Sequence, residues 1–253
     1  MTSTAPVYGS QPLGRGQWRV TLHNRAFAQL PWQSTLITQL DTARSRKLIR
    51  QWNQPAEFDF TMDGHSPEAK LILELATDVI VWRWNPAQNA DTMMFRGIID
   101  HSEDQLSEDA ASVNFVAHDY SAMLQRRYYT VPYTVTQRDQ DSIVGDWLAY
   151  ASNTFSGTPF PVHFAPGSYL PLAFDPRNPD GTVRTVNSGQ LRDRTYPAQT
   201  QLSQMLSDLA AVIGGFDWEV RPFGASMASA STTPARGSLA PIWRSNTARP
   251  SPA

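Results

Sequence analysis

The feature that most constrains the fold of this chain is a pair of short segments, near its middle, in which apolar and polar residues alternate. The apolar members are Phe95, Gly97 and Ile99 in the first segment and Val113, Phe115 and Ala117 in the second. A period of two places alternate side chains on one face of a β-strand. The sequence therefore predicts two half-buried strands, over residues 95–100 and 112–118, joined by an acidic loop over residues 101–109.

A short helix is predicted directly after the second strand. Tyr120, Met123 and Leu124 fall at helical spacing, and the segment continues to Gln125. Asp119 is placed to cap this helix, because a carboxylate before the first turn accepts a backbone N–H that has no partner within the helix. The predicted order of elements is strand, loop, strand and helix.

Two sequence pairs in this region carry groups used in acid–base catalysis, Asp100-His101 and His118-Asp119. Neighbouring residues on a strand point to opposite faces, so neither pair forms a catalytic dyad by itself. The five histidines lack the close spacing of a zinc site, and the phosphate-loop, dinucleotide and nucleophile-elbow motifs are absent from the sequence. The sequence predicts no catalytic residue, no metal and no cofactor.

Other segments show the same alternation or the apolar spacing of a helix. Further strands are predicted at 18–22, 35–40, 58–62, 78–84, 128–136, 162–164, 182–186 and 216–220. Helices are predicted at 68–75 after the N-cap Ser66, at 139–153, and at 201–213 before Gly214-Gly215. The fold class predicted for the chain is α+β.

Composition restricts the class of protein. With 41% hydrophobic residues in 253, the chain can bury a core of one large or two ordinary domains. A net charge of −2 lacks the basic excess of a dedicated nucleic-acid binder, and the absence of cysteine excludes disulfides and thiolate chemistry.

No apolar run reaches the roughly 20 residues that span a bilayer. The start of the chain lacks the pattern of a secretory signal. We therefore expect no membrane partner and no specific nucleic-acid partner.

Composition also changes along the chain. Residues 1–16 are predicted to be a flexible arm, because they are rich in Ser, Thr, Pro and Gly. A domain boundary is expected near residue 127, which gives a first domain over 17–127 and a smaller α/β domain over 128–223. Residues 224–253 are dominated by Ser, Thr, Ala and Pro and are predicted to be a disordered or extended tail.

Several residues are candidates for contacts with another molecule. Arg44, Arg46, Lys47 and Arg50 form a basic cluster that suits an acidic partner, a subunit-facing edge or plain solvation. Trp32 and Trp52 are flanked by polar residues and suit an inter-subunit or ligand surface, since aromatic residues are enriched at interface cores. The corner after the second strand adds four more candidates: Asp119, Tyr120, Arg126 and Arg127.

The central stretch also resembles a known family. Residues 95–100 (FRGIID), an acidic loop, then 113–120 (VNFVAHDY) and 123–127 (MLQRR) are similar in order and spacing to the hub or minor tail proteins of long-tailed phages. The resemblance extends over roughly residues 17–222. It implies a tail-tube-like β-barrel domain joined to a smaller α/β domain, with the chain assembling as a ring, commonly a trimer, at the tail tip.

The resemblance also implies a role without an active site. Hub proteins continue the tail channel, through which DNA passes, and connect the tube and distal tail proteins to tip or receptor-binding proteins. The expected location is the virion tail tip, after synthesis in the host cytoplasm. In the family the chain usually returns to complete the first barrel, whereas here the similar sequence ends at Phe223. We therefore expect an incomplete barrel, with the remaining strands absent or supplied by a partner.

Two other functions stay open at the level of the sequence. One is a tail-associated component acting on cell-wall glycan or peptide, with its catalytic part lost or on another chain. The other is a carbohydrate-binding module, for which the exposed aromatic candidates would be Trp32 and Trp52. An enzyme needs a cleft with converging titratable groups, whereas a hub needs large complementary subunit surfaces.

Overall fold

The structure is a computed structural model, and it describes residues 18–24, 35–85, 90–106, 111–151, 175–177, 188–221 and 240–244. These residues form two compact units. The described residues within 1–49 and 56–119 make the first unit, and those within 50–55, 120–221 and 239–253 make the second. The domain ranges inferred from the sequence remain a prediction.

The first unit is an antiparallel sheet of seven strands. They are β1 (Trp18–Asn24), β2 (Thr35–Gln39), β3 (Arg44–Ile49), β4 (Glu57–Asp63), β5 (Thr77–Asn85), β6 (Ala90–Leu106) and β7 (Ala111–Asp119). Their order across the sheet is β2-β1-β5-β6-β7-β4-β3. Within the described residues β2 and β3 pair with one neighbour each, so the sheet is open at both edges. The closed β-barrel therefore remains a prediction.

One face of this sheet forms the hydrophobic core. The side chains alternate along each strand, as in β4, where Phe58, Phe60 and Met62 are buried and point to the same face. The buried members of the core are Val20, Leu22, Leu40, Ala43, Ala56, Phe58, Phe60, Met62, Val79, Val81, Phe95, Ile99, Phe115 and Ala117. Ile37 of β2 and Leu48 of β3 pack against the same cluster. All seven strands thus contribute to a single core.

A close approach between β6 and β7 organises the centre of that core. The rings of Phe58 on β4 and Phe95 on β6 lie 5.8 Å apart, although β7 runs between their strands. The β7 residue opposite Phe58 is Ala117, whose small side chain leaves room for the two rings. At Gly97, an added Cβ would lie 2.3 Å from the His118 carbonyl oxygen and 2.6 Å from the Phe95 ring. Residue 97 therefore has to be a glycine for the two backbones to approach this closely.

Most of the strands predicted for this unit are present. The segment around 78–84 is β5, which is buried on both faces from Thr77 to Trp82, as an uninterrupted apolar run suggests. The acidic loop predicted over residues 101–109 is wrong in part, since β6 continues to Leu106 and pairs with β7. Charged side chains at exposed strand positions cost little, so cross-strand pairing prevails over the polar composition.

The helix predicted over residues 68–75 is also shorter than expected. A 3₁₀ helix covers only Ala69–Leu71, and the Ser66 hydroxyl caps it by accepting the Ala69 N–H at 3.2 Å. The chain then continues as an irregular loop into β5. Ser66 thus bonds the first residue of the helix, but Glu68 and not Ser66 is the residue directly before the helix, and the helix is shorter than predicted.

Two ion pairs are buried on the opposite face of β1, β5 and β6. Arg19 contacts Asp91 at 2.5 Å, and Arg96 contacts Asp78 at 2.9 Å. All four side chains are less than a tenth exposed. Buried charges cost desolvation energy that only a well-placed partner offsets, so each pair fixes the register of the strands that carry it.

The second unit combines short strands with helices. Its elements are a 3₁₀ helix (Tyr120–Arg126), β8 (Tyr128–Tyr129), β9 (Tyr133–Asp139), α1 (Gln140–Ala151), β10 (Asp175–Arg177), β11 (Leu191–Tyr196), β12 (Thr200–Gln201), α2 (Leu202–Ala210), β13 (Asp217–Arg221) and β14 (Ala240–Arg244). The described strands pair as β9 with β11, β8 with β12, and β10-β14-β13. This unit holds both α-helices of the described chain.

Helix α1 buries the apolar stripe predicted from its sequence. Trp147 packs edge-on against Tyr133 and Tyr196, at ring distances of 5.7 and 5.6 Å. At the start of α1 the Asp139 carboxylate accepts the Asp141 N–H at 2.9 Å and the Gly189 N–H at 2.8 Å. Asp139 thus caps the helix and holds the segment before β11 against it.

Three further predictions can be compared with the structure. Helix α2 ends at Ala210 rather than at the predicted residue 213, and Ile213 is 97% exposed. The turn at Gly214-Gly215 and the following strand are confirmed, since Gly214 has φ +69° and β13 buries Trp218. Strand β14 lies within the segment predicted to be disordered or extended. The N-terminal arm and the strands predicted at 162–164 and 182–186 lie outside the described residues.

The close approach at Gly97 gives a test of the core. Gly97→Ala places a Cβ against the β7 backbone, so we expect the free energy of unfolding to fall by about 1–3 kcal/mol or more, as overpacked cores do. Urea denaturation followed by circular dichroism measures this. Gly64→Ala is the matched control, because its nearest neighbour is the Val113 side chain at 3.2 Å rather than backbone. Equal stability of the two variants would contradict the proposed close approach.

The buried pair Asp78–Arg96 gives a second test. Asp78→Ala leaves the Arg96 guanidinium buried without its carboxylate, and we expect a loss of about 3–5 kcal/mol in unfolding free energy. The double variant Asp78→Leu/Arg96→Met removes both charges and should lose clearly less. Denaturant titration of the three proteins decides this. A double variant at least as unstable as Asp78→Ala would show that the pair does not act through its charges.

Candidate interaction surface

Two features of the described residues bear on the type of site. These residues contain no group of three or more His, Asp or Glu side chains placed to hold a metal ion. None of the described helices is long and apolar enough to cross a membrane.

Ionisable side chains gather on the outer face of β4, β7 and β6, opposite the core. We call this set the ionisable cluster; its members are Glu57, Asp59, Asp100, His101 and His118. His118 lies between two carboxylates, with Nε2 3.6 Å from Glu57 and Nδ1 3.6 Å from Asp100. His101 Nδ1 lies 3.7 Å from the same Asp100 carboxylate. One carboxylate thus faces two imidazoles.

A bulge in β6 creates this arrangement. The register of β6 against β7 shifts between Ile99 and His101, so Asp100 is an extra residue in the ladder. Side chains beside a bulge lose the regular alternation, so Asp100 and His101 both reach the outer face. The sequence argument that adjacent residues point apart is therefore wrong at this pair. It is right at His118 and Asp119, since Asp119 points inward and is 3% exposed.

The cluster influences the protonation of Asp59. Partial burial raises the pKa of the Asp59 carboxyl above its ordinary value, and the neighbouring Glu57 carboxylate raises it further. The neighbouring Lys47 and His118 side chains lower the pKa of Asp59. Lys47 is the residue opposite Asp59 on β3, so the edge strand takes part in the electrostatics of this face.

The ionisable cluster lies on strands that run side by side, and its side chains remain partly open to solvent. His118 is 25% exposed, Asp100 27% and Glu57 35%. Separations of 3.6–3.7 Å are longer than the hydrogen bonds that position a catalytic base. This arrangement suits a polar contact surface.

The basic cluster predicted from the sequence maps to β3, which is an edge strand. Arg44 and Lys47 are exposed. In the pairing of β3 with β4 they lie opposite Thr61 and Asp59, respectively. Arg46 has a different role, since its guanidinium donates to the carbonyl oxygens of Leu40 and Ala43 at 3.0 Å each. Burial lowers the pKa of Arg46. Arg44 and Lys47 thus face solvent, and Arg46 closes the turn before the strand.

Other predicted contact residues lie in the second unit. Arg50 is exposed, and Trp52 is 46% exposed. The residue after Trp52, Asn53, is fixed to β13, because its side-chain amide donates to the Asp217 carboxylate at 2.8 Å and its carbonyl oxygen accepts the Trp218 N–H at 2.8 Å. Trp52 is therefore exposed on an ordered segment. Trp32 lies outside the described residues.

The four corner residues divide into two groups. Asp119 and Tyr120 are buried, and the Asp119 carboxylate accepts the Ala56 N–H at 2.7 Å, which joins the end of β7 to the start of β4. Arg127 is also buried and donates to the Ala151 carbonyl. Arg126 is exposed. Of these four, only Arg126 is positioned to contact another molecule without rearrangement.

Sequence reasoning missed one surface altogether. Between the 3₁₀ helix and β5, three leucines face solvent: Leu71 is 48% exposed, Leu73 63% and Leu75 46%. We call residues 71–75 the leucine loop. Its sequence, LILEL, was interpreted as helix, but its leucines alternate with a period of two. That period was the available signal against a helix.

Comparisons with known proteins were made for sequence and structure. No protein-family model and no curated protein matches the sequence. A tail protein from Neisseria meningitidis MC58 matches the structure with a TM-score of 0.43 and 12% identity, over 85% of this chain and 53% of that one. An Escherichia coli type VI secretion component, described as similar to the T4 bacteriophage tail proteins gp27 and gp5, matches with 0.38 and 12%, over 80% and 48%.

A third match is to the Francisella PdpA–VgrG complex, with a TM-score of 0.43 and 10% identity, over 92% of this chain and 29% of that one. The chain therefore spans about half or less of the length of these three proteins. The first two descriptions name tail proteins, the family that the sequence resembles. Because few residues are identical, the roles of individual side chains have to come from this chain itself.

The raised pKa of Asp59 gives a testable pH dependence. A carboxyl whose pKa is higher in the folded than in the unfolded state stabilises the fold below its ordinary pKa of 3.8, and this contribution disappears as the pH rises through the raised value. Asp59→Asn cannot titrate. We therefore expect the variant to lose less thermal stability than wild type between pH 4 and pH 7.

Thermal unfolding followed by circular dichroism at several pH values measures this difference. Asp104→Asn, which removes an exposed carboxylate of β6, is the control for the change in net charge. If Asp59→Asn and wild type show the same pH profile, the electrostatic description of the cluster is wrong.

Proposed function

We propose that this chain is a structural virion protein that forms a ring-shaped hub at the tip of a phage tail. In this role it continues the tail channel and connects the tube to tip or receptor-binding proteins. Its own copies and the distal tail proteins are its partners, and the ring is a trimer. The chain is made in the host cytoplasm and acts in the virion.

The observation that carries this proposal is the open edge at each side of the seven-stranded sheet. Edge strands present backbone N–H and C=O groups that can pair with a further strand, and proteins usually protect or use them. Strand β3 carries the exposed Arg44 and Lys47, which oppose indiscriminate pairing. Strand β2 is uncharged and carries Leu36, which is 52% exposed.

Residues 40–43 join the two edge strands directly, but β2 and β3 differ in charge, and unlike surfaces favour a ring over a symmetric dimer. A contact between unlike surfaces is head-to-tail, and such contacts close into a ring when the rotation between copies divides a full turn. A twofold dimer would instead use the same patch on both copies. The sequence resemblance to hub proteins over residues 95–127 supports the same assembly. An edge strand would then be covered by a surface of the neighbouring subunit.

A catalytic role has less support from the site. The ionisable cluster contains imidazole and carboxylate groups, as a hydrolase would require. Their ion-pair separations and their position along a strand face favour surface electrostatics over acid–base catalysis. We therefore assign the chain no reaction.

Self-association tests the proposal directly. Light scattering across a concentration series should show the mass rising from one chain to a small fixed multiple, and negative-stain microscopy should show rings with a central channel. Addition of purified distal tail protein should lower the concentration at which rings form, because it stabilises the assembled state. A chain that stays monomeric with and without tail proteins would contradict the hub.

Peptidoglycan digestion by the purified chain is the complementary measurement. We expect no release of soluble fragments. Lytic activity that disappears in His118→Ala, with the fold unchanged by circular dichroism, would replace the hub with a cell-wall hydrolase.

A further inference from the structure

We propose that the leucine loop and the acidic end of β6 in one copy of this chain bind the basic edge of β3 in a second copy. The proposal rests on the proposed ring and names the two surfaces that meet in it. We call the first surface the acidic flank, which comprises the leucine loop with Glu103 and Asp104. The second is the basic edge, which comprises Arg44 and Lys47 with the backbone of β3.

The leucine loop is held firmly although its side chains face solvent. The Leu73 N–H donates to the Thr77 hydroxyl at 2.9 Å, and the Thr77 N–H donates back to the Leu73 carbonyl at 2.9 Å. The Leu75 N–H donates to the Ile99 carbonyl of β6 at 2.7 Å. Three hydrogen bonds thus fix the backbone that presents the leucines. A surface that is ordered before binding loses little entropy when a partner docks.

Glu74 adds a further attachment within the loop. Its carboxylate accepts the Ser102 N–H at 2.7 Å and the Ser102 hydroxyl at 2.6 Å. These hydrogen bonds lower the pKa of Glu74. The one acidic side chain of residues 71–75 is therefore directed to β6, and the three leucines lie on either side of it.

The backbone conformation of Leu75 supports a contact role for the leucine loop. Leu75 has φ +61°, a conformation that residues other than glycine seldom adopt. Strained backbone persists only where its surroundings enforce it, and it is concentrated at functional sites. Solvent-facing leucines in a cluster, unlike single ones, are typical of protein contact surfaces. The strain at Leu75 helps to keep this cluster facing outward.

The charges beside the leucine loop indicate which surface of the second copy binds it. Beyond Ser102, β6 carries the exposed side chains of Glu103 and Asp104, so the loop is bordered by negative charge. A complementary partner needs positive charge next to apolar atoms. The basic edge has both, since Arg44 and Lys47 have long aliphatic stems and the half-buried Leu48 follows them.

The strand order separates the two surfaces within one chain. Strands β6, β7, β4 and β3 lie in that order, and the leucine loop is hydrogen-bonded to β6 on the side away from β7. The acidic flank and the basic edge thus border opposite sides of four strands, separated by three strand spacings, roughly 14 Å along the sheet. Unlike surfaces on opposite sides produce the head-to-tail contact that a ring requires.

Charge reversal tests the pairing, because one reversal should disrupt it and two should restore it. One variant carries Arg44→Glu/Lys47→Glu, a second carries Glu103→Lys/Asp104→Lys, and a third carries all four changes. Each of the first two places like charges across the contact. We expect at least a tenfold rise in the concentration needed for half-assembly, and recovery to within about threefold of wild type in the third.

A leucine substitution tests the apolar part of the contact. Leu73→Ser should weaken assembly by at least tenfold, because Leu73 is the most exposed of the three leucines. Leu191→Ser is the matched control, since Leu191 is 53% exposed on β11 of the second unit and lies outside both surfaces. Urea denaturation establishes that every variant folds.

Each outcome has a defined meaning. Rings that form equally well in all variants would overturn this contact and leave the hub intact. A third variant that folds but stays dissociated would also overturn it, because charge complementarity would then not be the cause. If Leu73→Ser abolishes binding of another tail protein but not self-association, the leucine loop serves that protein instead. A wild-type chain that never self-associates would contradict both the contact and the hub.

Discussion

The first unit depends on how closely β6 and β7 approach at Gly97. Because residue 97 has no side chain, the Phe95 ring lies beside the β7 backbone and reaches the Phe58 ring, which belongs to a strand two places away. The small Ala117 makes the same contact possible from β7. At the end of β7 the Asp119 carboxylate and the Ala56 N–H, 2.7 Å apart, hold β4 in place. Two small residues and one buried carboxylate thus allow side chains of several strands to form one core.

Because one face of the sheet forms the core, the opposite face and the edge strands carry its charged and exposed groups. On β1, β5 and β6 the opposite face buries two ion pairs, whose directional contacts fix strand register. On β4, β7 and the end of β6 the same face carries the ionisable cluster, which stays partly hydrated. Exposed ion pairs contribute little to stability. The cluster and the edge strands are therefore exposed enough to contact other molecules, as the proposed ring requires.

Side-chain alternation made much of this fold predictable. Strands β1, β2, β4, β5, β7 and β13 and helix α1 lie where their apolar spacing places them. The features that the sequence did not reveal depend on tertiary contacts. The bulge at Asp100 arises because β6 pairs with β7. Helix α2 ends at Ala210, although two of the residues after it continue its apolar spacing. The Arg46 side chain turns back because it donates to three nearby carbonyl groups. Composition alone contains no signal for any of these.

The leucine loop shows how local and tertiary preferences can conflict at a functional surface. Its residues favour helix, and Ser66 provides the cap, yet the helix stops at Leu71. Pairing of Leu75 with Ile99 and of Glu74 with Ser102 extends the loop along β6 and requires a positive φ at Leu75. A sequence selected only for stability would avoid both the strain and the exposed leucines. In the proposed ring a second copy of the chain would cover both.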